Sequence, residues 1–382
     1  MNESIQAHHS LRVLALEPYH GGSHKAFLDG WSAGSRHAWT VLGYPANKWK
    51  WRMKHAAVTF ADLLRGRVER GEQWDVLWCS DMLDLATLKG LAPDSVQRLP
   101  SVAYFHENQF TYPLTPEQPV DYTYGFINAK SGLAADAVWF NSAHNRDSFL
   151  DALDAFLHRM PNHGPENMAD RIREKSSIVP QGIDPVKTGT RGPSETFHVL
   201  WAARWEYDKD PELFFSAMRE FKQTKADFRM SVIGERFRAV PECFESARSE
   251  FAKHIAAWGY QESRQSYEDI LRNADVIVST AQHEFFGITL IEALSAGAFP
   301  LVPRKLAYPE ILRADENPEF FHEGTADSIC SRLLGLARQK AAASLWNGND
   351  EHGIQLSKSY WWPTLAPALD TALEGVARGS GV

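Results

Sequence analysis

Short hydrophobic segments alternate along the chain with longer stretches in which apolar residues recur at helical spacing. Strands that alternate with helices predict parallel sheets with helices on both faces. The predicted strands are Arg12 to Leu16, Ala38 to Leu42, Val76 to Cys79, Val102 to Phe105, Ala137 to Phe140, Ser177 to Val179, Val199 to Ala202, Arg229 to Ile233, His254 to Ala257, Val276 to Ser279 and Phe299 to Val302.

The strand series pauses at Pro185 to Thr196, which is rich in Pro, Gly, Ser and Thr and therefore predicts a linker. A chain of 382 residues is long for one domain and sufficient for two. We expect Rossmann-like domains at 1–188 and 196–355, followed by a terminal helix within 356–382 in which Trp361 and Trp362 are packing residues. Ligands of such sheets lie outside the carboxyl ends of the strands, so two facing domains predict one central cleft.

Composition indicates an ordinary globular protein, with 44% hydrophobic and 23% charged residues. The polar segment at 1–10 is too short for a signal peptide, and no run of 18 apolar residues occurs. Three scattered cysteines, Cys79, Cys243 and Cys330, favour a reducing compartment. We therefore expect a cytoplasmic protein that does not bind membranes. The net charge of −8 excludes a general basic coat, so nucleic-acid binding would need a local patch.

The segment HEFFGITLIEALSAG, from His283 to Gly297, contains two glutamates on either side of a glycine. Gly287 should interrupt the helix, which predicts Glu284 in a loop and Glu292 inside the helix that follows. Carboxylates accept hydrogen bonds from sugar and ribose hydroxyls, while backbone N–H groups at a helix start bind phosphate. This layout suits a sugar nucleotide. On spacing alone, an amphipathic helix with surface carboxylates is the alternative.

Arg204 and Lys209 follow an apolar strand and precede a helix predicted to begin near Pro211, where they could clamp a diphosphate. Gly21 and Gly22 follow the first strand and would allow close backbone approach to a phosphate or sugar. The simpler interpretations are solvated surface charges and a tight turn.

Histidine is abundant, so a metal site and a catalytic role both have to be considered. His106 follows an apolar strand and is either a site residue or a structural hydrogen-bonding histidine. His20 and His24 lack an accompanying ligand pattern, and neither HENQF nor HEFFG matches HExxH. We therefore predict no metal site.

Basic and apolar residues alternate from Lys48 to Lys54, which predicts an extended segment with cations on one face and tryptophans on the other. Cations suit phosphates and indoles suit unstacked bases, so the segment is a candidate RNA-binding patch. A half-buried segment whose tryptophans enter the core is equally compatible with the pattern. The candidate residues are Lys48, Trp49, Lys50, Trp51, Arg52 and Lys54.

The two glutamates, together with the Arg204 and Lys209 element in WAARWEYDKDPELFFSAM, resemble the signature of the retaining glycosyltransferases of family four. More specific segments, EPYHGGSHKAF, NKWKWRMKH, YFHENQF, FNSAHN and VPQGID, resemble those of the tRNA-queuosine α-mannosyltransferases. This resemblance covers nearly the whole chain. It implies an α/β GT-B fold of two Rossmann-like domains, with a C-terminal helix that crosses back to the first domain.

The resemblance also implies retaining transfer of mannose from GDP-mannose to queuosine at the wobble position of tRNA, with tRNA-Asp as the expected acceptor. It implies no cofactor and no metal, and a front-face mechanism in which the leaving diphosphate helps to deprotonate the acceptor. The implied catalytic residues are His106, Glu284, Arg204 and Lys209. The implied donor-binding residues are Gly21, Gly22, Arg204, Lys209, Phe286, Gly287, Ile288, Thr289 and Glu292.

Two alternatives remain at this stage. A family-four enzyme acting on a lipid-linked or surface glycan predicts a basic amphipathic helix in the first domain for membrane docking. A noncatalytic RNA-binding protein that retains the sugar-nucleotide fold predicts loss of the carboxylate pair or of the diphosphate clamp.

Overall fold

The computed structural model describes residues 10–113, 121–186, 196–236, 240–349 and 351–379. Its contacts divide the chain into two compact units. The first unit extends to Gly182 and also includes the chain from Trp362 onward, while the second is continuous from Ile183 to Trp361. Most of the predicted linker, at 187–195, and the first nine residues lie outside the described residues.

The first unit contains a parallel six-stranded sheet in the order β2-β1-β3-β4-β5-β6. Each predicted strand is found, and β1 and β2 run beyond their predicted ends, to His20 and Pro45. The strands are β1 Arg12–His20, β2 Ala38–Pro45, β3 Val76–Ser80, β4 Ser101–Phe105, β5 Ala137–Phe140 and β6 Ser176–Ile178. The helices are α1 Gly22–Gly34, α2 Trp49–Glu69, α3 Leu85–Leu91, α4 Asp94–Gln97, α5 Tyr122–Ala134, α6 Ala143–Arg159 and α7 Met168–Arg173.

The second unit repeats this plan, with a parallel sheet in the order β12-β11-β10-β7-β8-β9. Its strands are β7 Phe197–Ala202, β8 Phe228–Ile233, β9 Ile255–Gly259, β10 Val276–Val278, β11 Phe299–Pro303 and the unpredicted short β12 Phe321–His322. Its helices are α8 Pro211–Gln223, α9 Cys243–Glu250, α10 Arg264–Asn273, α11 Ile288–Ser295, α12 Tyr308–Ile311, α13 Ala326–Ala341 and α14 His352–Ser357, with 3₁₀ turns at Tyr207–Lys209, Pro318–Phe320 and Lys358–Tyr360.

The predicted terminal helix is α15, Trp362–Ala377, which packs on α1 in the first unit. Trp362 is buried, and a Cβ added at Gly30 or Gly182 would collide with its ring. Asp370 of α15 is buried and accepts a hydrogen bond from the indole N–H of Trp31 at 2.9 Å. Trp362 is therefore a packing residue, as predicted, and Trp361 is partly buried against the core of the second unit.

The segment after Lys48 forms the 21-residue helix α2, so the prediction of an extended segment is wrong. The buried residues of α2 recur at helical spacing and cover one face: Met53, Ala56, Ala57, Phe60, Ala61 and Leu64. This apolar stripe packs toward the first-unit core and overrides the short alternation at the helix start.

Among the described residues, no helix combines the length and the apolar character needed to cross a membrane.

Candidate active site

A turn that requires glycine joins β1 to α1. Gly21 is the N-cap residue of α1, and a Cβ added there would overlap the Cβ of Ala46. Gly22 has a φ of +54°, in the left-handed region that favours glycine. The two glycines therefore leave no side chain on the turn before α1, as the donor-binding prediction requires. Contact with a donor remains a prediction.

Glu17, near the end of β1, anchors a buried polar cluster beside this turn. Its Oε1 accepts hydrogen bonds from the Ser80 hydroxyl at 2.8 Å and from the backbone N–H of Tyr19 at 2.9 Å. Its Oε2 lies 3.1 Å from Nδ1 of His24, on the first turns of α1. Glu17, Ser80 and His24 are all buried, so the carboxylate is satisfied by hydrogen bonds within the protein.

His106 lies directly after β4, as predicted, and its ring stacks on that of His24 with centroids 4.0 Å apart. Nδ1 of His106 contacts the side-chain amide of Gln181. Oδ1 of the fully buried Asp81 accepts the backbone N–H of His106 at 3.0 Å. Two buried atoms of this cluster, Nε2 of His106 and Oδ2 of Asp81, have no hydrogen-bond partner among the described residues.

The cluster holds its titratable groups in unequal charge states. Burial disfavours protonation of His24, but the charge and hydrogen bond of Glu17, with smaller contributions from Asp81 and Glu107, outweigh it and raise the pKa of His24 to about 9. Burial, and then the charge of His24, lower the pKa of His106 well below its usual value. Burial raises the pKa of Asp81 well above its usual value, although His24 opposes this shift. At neutral pH, His24 is therefore cationic and His106 neutral.

Glu17, His24 and His106 could each offer one ligand atom to a metal, within 4.8 Å of one another. However, Nδ1 of His24 already bonds to Glu17, and the planes of the two imidazoles are only 33° apart. Nδ1 of His106 is likewise engaged by the side-chain amide of Gln181, so only Nε2 of each imidazole is left for a metal. The arrangement is that of a hydrogen-bonded ion pair, and metal independence remains a prediction.

The predicted RNA-binding residues surround the start of α2. Trp49 packs edge-on against Tyr124, with ring centroids 5.0 Å apart, and is partly buried. The ammonium groups of Lys50 and Lys54 lie 5.7 and 5.6 Å from the centre of the Tyr124 ring. Trp51, in contrast, is 59% exposed.

Lys48 is the exposed N-cap residue of α2, and Arg52 lies over the ring of Tyr44. The cations at the start of α2 therefore lie on two flanks of the helix, Lys50 and Lys54 beside Tyr124 and Arg52 beside Tyr44. Trp51 is the strongly exposed indole of the two, and the two tryptophans contact different neighbours.

In the second unit, Lys209 ends the 3₁₀ turn before α8 and is buried. Its ammonium donates to the carbonyl of His283 at 2.5 Å and lies 3.2 Å from a carboxylate oxygen of Asp208 and 3.4 Å from one of Glu284. The carbonyl of His283 and the carboxylate of Glu284 accept hydrogen bonds from Lys209, whereas Oδ2 of Asp208 is an ion-pair partner without a hydrogen bond among the described residues. Lysine has three N–H donors, so one remains for a diphosphate oxygen, and release of the more distant acceptor, Glu284, would free a second.

Arg204 follows β7 and pairs with Glu206 at 3.1 Å. Both side chains are partly exposed, at 37% and 31%. Burial raises the pKa of Glu206, although Arg204 opposes the shift. The predicted clamp thus consists of one half-exposed guanidinium and one buried ammonium, each beside a carboxylate.

Gly287 is the N-cap residue of α11, with a φ of +105°. A Cβ there would lie 3.3 Å from the Tyr308 ring as well as in an unfavourable backbone region. The first turn of α11 contains no acidic residue and no side-chain cap, so the N–H groups of Ile288 and Thr289 lie at a helix N-terminus that favours anions, with the Glu284 side chain beside Gly287. Phe286 is buried in the core, so its side chain packs there and only its backbone remains for a donor.

Both glutamates lie where the sequence predicts, with Glu284 in the loop and Glu292 inside α11. Glu292 is buried between two donors, the Arg264 guanidinium at 2.7 Å from Oε1 and the Tyr267 hydroxyl at 2.6 Å from Oε2. Burial, and then Glu292, raise the pKa of Tyr267 well above its usual value, so Tyr267 remains a donor. Each carboxylate oxygen retains a further lone pair, which leaves the predicted ribose contact possible.

Several polar neighbours of the predicted residues are not evident from the sequence. Glu17 carries the one available signal, a carboxylate at the carboxyl end of an apolar strand. Four others contact predicted residues of their own unit from at least 25 positions away in the chain: Asp81, Gln181, Arg264 and Tyr267. Asp208 is the direct neighbour of Lys209 in the sequence.

The two halves of the chain match different protein families. Residues 12–183 match the family described as tRNA-queuosine alpha-mannosyltransferase N-terminal, and residues 187–344 match glycosyl transferases group 1. A tRNA-queuosine alpha-mannosyltransferase of Drosophila melanogaster is 35% identical over 338 residues, which cover 85% of this chain and 87% of that protein.

Proteins of lower sequence identity are also similar to this chain. A GDP-mannose-dependent alpha-(1-6)-phosphatidylinositol dimannoside mannosyltransferase of Mycobacterium tuberculosis is 23% identical over 63% of this chain and 60% of that protein. The catalytic domain of starch synthase IV from Arabidopsis thaliana, bound to ADP and acarbose, aligns with a TM-score of 0.71 at 11% identity, covering 97% of this chain and 100% of that chain. The predicted GT-B fold is thereby confirmed. The chain belongs to the tRNA-queuosine alpha-mannosyltransferase family of glycosyltransferases.

Proposed function

We propose that this protein transfers mannose, with retention, from GDP-mannose to the queuosine base at the wobble position of a tRNA, with tRNA-Asp as the expected acceptor. The observation that carries the proposal is the match of residues 12–183 to the family-specific N-terminal model, which extends through the whole polar cluster around His106. The relative from Drosophila carries the same activity in its name, and the mycobacterial relative uses GDP-mannose. A cytoplasmic location belongs to the same proposal.

On the donor side, transfer creates negative charge on the departing diphosphate. Arg204, Lys209 and the N–H groups of Ile288 and Thr289 supply positive charge and donors, and stabilisation that grows as the charge develops accelerates the reaction. The Lys209 to Glu284 contact links the clamp to the sugar-binding carboxylate, since a lysine that turns toward phosphate releases Glu284 to accept sugar hydroxyls.

The acceptor hydroxyl needs no separate protein base in this scheme, because an oxygen of the leaving diphosphate takes its proton. His106, neutral and without a partner at Nε2, can offer a hydrogen bond to a reacting sugar but is poorly placed to accept and hold a proton.

On the acceptor side, the basic surface at the start of α2 would bind the anticodon arm. Lys48, Lys50 and Lys54 are exposed cations for phosphates, and Trp51 is the indole available for an unstacked base. Trp49 is assigned to packing because it contacts Tyr124.

A second candidate is transfer to a lipid-linked or surface glycan. The observation that favours it is α2 itself, which is amphipathic and basic as that function predicts. The exposed flank of α2 also includes Val58 and Leu63, each more than 40% exposed. The geometry of α2 alone therefore leaves an RNA or a membrane surface as its partner, and the family-specific match favours RNA.

The deciding experiment supplies labelled GDP-mannose to the purified protein with tRNA that contains queuosine, the same tRNA that lacks it, and polyprenol-linked acceptors. The proposal expects label only in the queuosine tRNA, and UDP- and ADP-sugars should not replace GDP-mannose. Equal labelling of both tRNAs, or labelling of the lipid alone, would refute the acceptor assignment while leaving a glycosyltransferase.

A further inference from the structure

The buried polar cluster of the first unit determines the protonation state of His106. We propose that Gln181 and the Glu17 to His24 pair are positioning residues that hold His106 as a neutral imidazole protonated on Nε2, so that it donates a hydrogen bond to an oxygen of the sugar or of the acceptor. Only the hydrogen bond to an oxygen of the sugar or of the acceptor rests on the proposed function. The state of the imidazole is a property of the protein itself.

Gln181 sets the tautomer. It is 2% exposed, and its amide nitrogen contacts Nδ1 of His106. An amide N–H donates, so Nδ1 must accept and the single proton of a neutral ring must reside on Nε2. Nε2 is buried and has no partner within the described part of the chain. A buried N–H without an acceptor is destabilising, so a group of this kind calls for an explanation, and a substrate oxygen at a strand end provides one.

The Glu17 to His24 pair keeps the ring neutral. The Glu17 carboxylate is fixed by the Ser80 hydroxyl and the Tyr19 N–H and faces His24 at 3.1 Å, which favours the cationic form of His24. That cation lies with its ring 4.0 Å from the ring of His106, so a second proton on His106 would place two buried positive charges face to face.

The other charged or titratable groups near His106 do not reverse this balance. Asp81 follows β3 and directs Oδ1 to the backbone N–H of His106 rather than to the ring, and its burial disfavours ionisation. Tyr104 of β4 lies edge-on to the ring at 4.6 Å, and burial raises its pKa well above the usual value, so it is neutral. Glu107 adjoins His106 in the chain and contributes to the pKa shift of His24, which strengthens the cation. The net effect on His106 is exclusion of the second proton.

The consequence for the reaction is a division of roles. A permanently protonated Nε2 orients a substrate oxygen but does not remove its proton, which agrees with deprotonation by the leaving diphosphate. A histidine that acted as a base would need the opposite tautomer, with Nε2 unprotonated. The structure therefore distinguishes an orienting donor from a general base at the same position.

The test reads the tautomer directly by ¹⁵N NMR of histidine-labelled protein without substrates. The two ring nitrogens have distinct shifts in each tautomer and in the cation, and the His106→Gln variant identifies the signal among the 15 histidines. We expect the neutral Nε2–H tautomer at pH 7, and it should persist below the usual histidine pKa of about 6.5. An Nδ1–H tautomer, or a doubly protonated ring at neutral pH, would overturn the inference whether or not mannosyl transfer is observed.

Two variants test the supporting residues. Gln181→Glu replaces the donor by an acceptor of the same shape, so the ¹⁵N shifts should report a proton on Nδ1 of His106. In the neutral Nδ1–H tautomer the Nε2 donor is lost, and transfer should fall about 10²-fold, the scale expected for a misaligned group. Gln97→Glu, which changes an amide that bonds to the Ala92 carbonyl away from this cluster, is the matched control and should leave both readouts unchanged. Unaltered turnover and tautomer in Gln181→Glu would refute the role of Gln181.

Glu17→Gln keeps an oxygen for the Ser80 and Tyr19 donors but removes the charge that stabilises the His24 cation. Neutral His24 no longer repels a proton from His106. In the ¹⁵N NMR titration, double protonation of His106 should therefore begin at a higher pH in Glu17→Gln than in the unmodified protein. A merely structural role would leave this titration unchanged, and an unshifted titration would refute the role of the pair.

Discussion

Lys209→Met removes the buried ammonium of the proposed diphosphate clamp while keeping an unbranched side chain. Two effects should follow. Asp208 and Glu284, 11% and 29% exposed, would lose their shared cation, and breaking a buried ion pair costs about 3–5 kcal/mol. Since each 1 kcal/mol corresponds to about 2–4 °C in a domain of this size, the melting temperature of the second unit should fall by roughly 6–20 °C.

The second effect is on catalysis. The lost stabilisation of the leaving diphosphate should lower kcat by about 10²–10³-fold, the range found when one charge-stabilising donor is removed. To separate the two effects, Asp208→Asn is added to Lys209→Met, which removes the more buried of the two carboxylates left without their cation. The double variant should recover much of the melting temperature and none of the turnover. The assay is initial-rate transfer from labelled GDP-mannose below the melting temperature of each variant. Near-normal kcat in the stable double variant would refute the clamp.

Further predictions concern the carboxylates, the acceptor, metal and pH. Glu284→Gln should impair transfer more than GDP affinity, whereas Glu292→Gln should weaken GDP itself; equal loss of GDP affinity in titration calorimetry would contradict this division. Lys54→Ala should lower the salt slope of tRNA binding by about 0.7 to 1, while Trp51→Ala should weaken binding with little change in slope. Chelation with EDTA should leave transfer unchanged, and a loss restored by one added metal would point to a metal site. Because the pKa of His24 is raised to about 9, its contribution to stability is complete below about pH 6.5 and is lost as pH rises through 9, about 3 kcal/mol that urea unfolding at both ends of this window should detect.

The family, the GT-B fold and the glycosyltransferase class follow from the sequence and are confirmed by the comparisons. The placement of the two glutamates follows as well, because the backbone freedom of Gly287 determines where α11 begins. The donor, the tRNA species, the absence of a metal, the location and the roles of the site residues remain predictions.

The helix α2 shows why one pattern misled. Alternation over Lys48 to Lys54 has a period of two, but the buried stripe that continues from Met53 to Leu64 has a helical period and determines the structure. An extended segment would have argued against a membrane-docking helix, whereas α2 is a basic amphipathic helix. The family-specific match now carries the choice of RNA.

The polar cluster depends on long-range contacts that cannot be predicted from a single sequence. Glu17 meets Ser80 across 63 positions, and His106 meets Gln181 across 75. Such pairs depend on which strands become neighbours in the sheet, and hydrophobic periodicity predicts the strands but not their order. Individual candidate residues can thus be found from their place at strand ends, whereas their partners and charge states require the fold.

The docking of α15 on α1 has a consequence for biosynthesis. The ribosome completes all elements of the second unit before it produces the helix that covers Trp31 and completes the first unit. N-terminal domains usually fold first during synthesis, but here the second unit should reach its final packing before the first unit does. Until α15 emerges, the nascent first unit exposes the apolar surface that Trp362, Leu365 and Leu369 later cover, and this interval is when a chaperone would be needed.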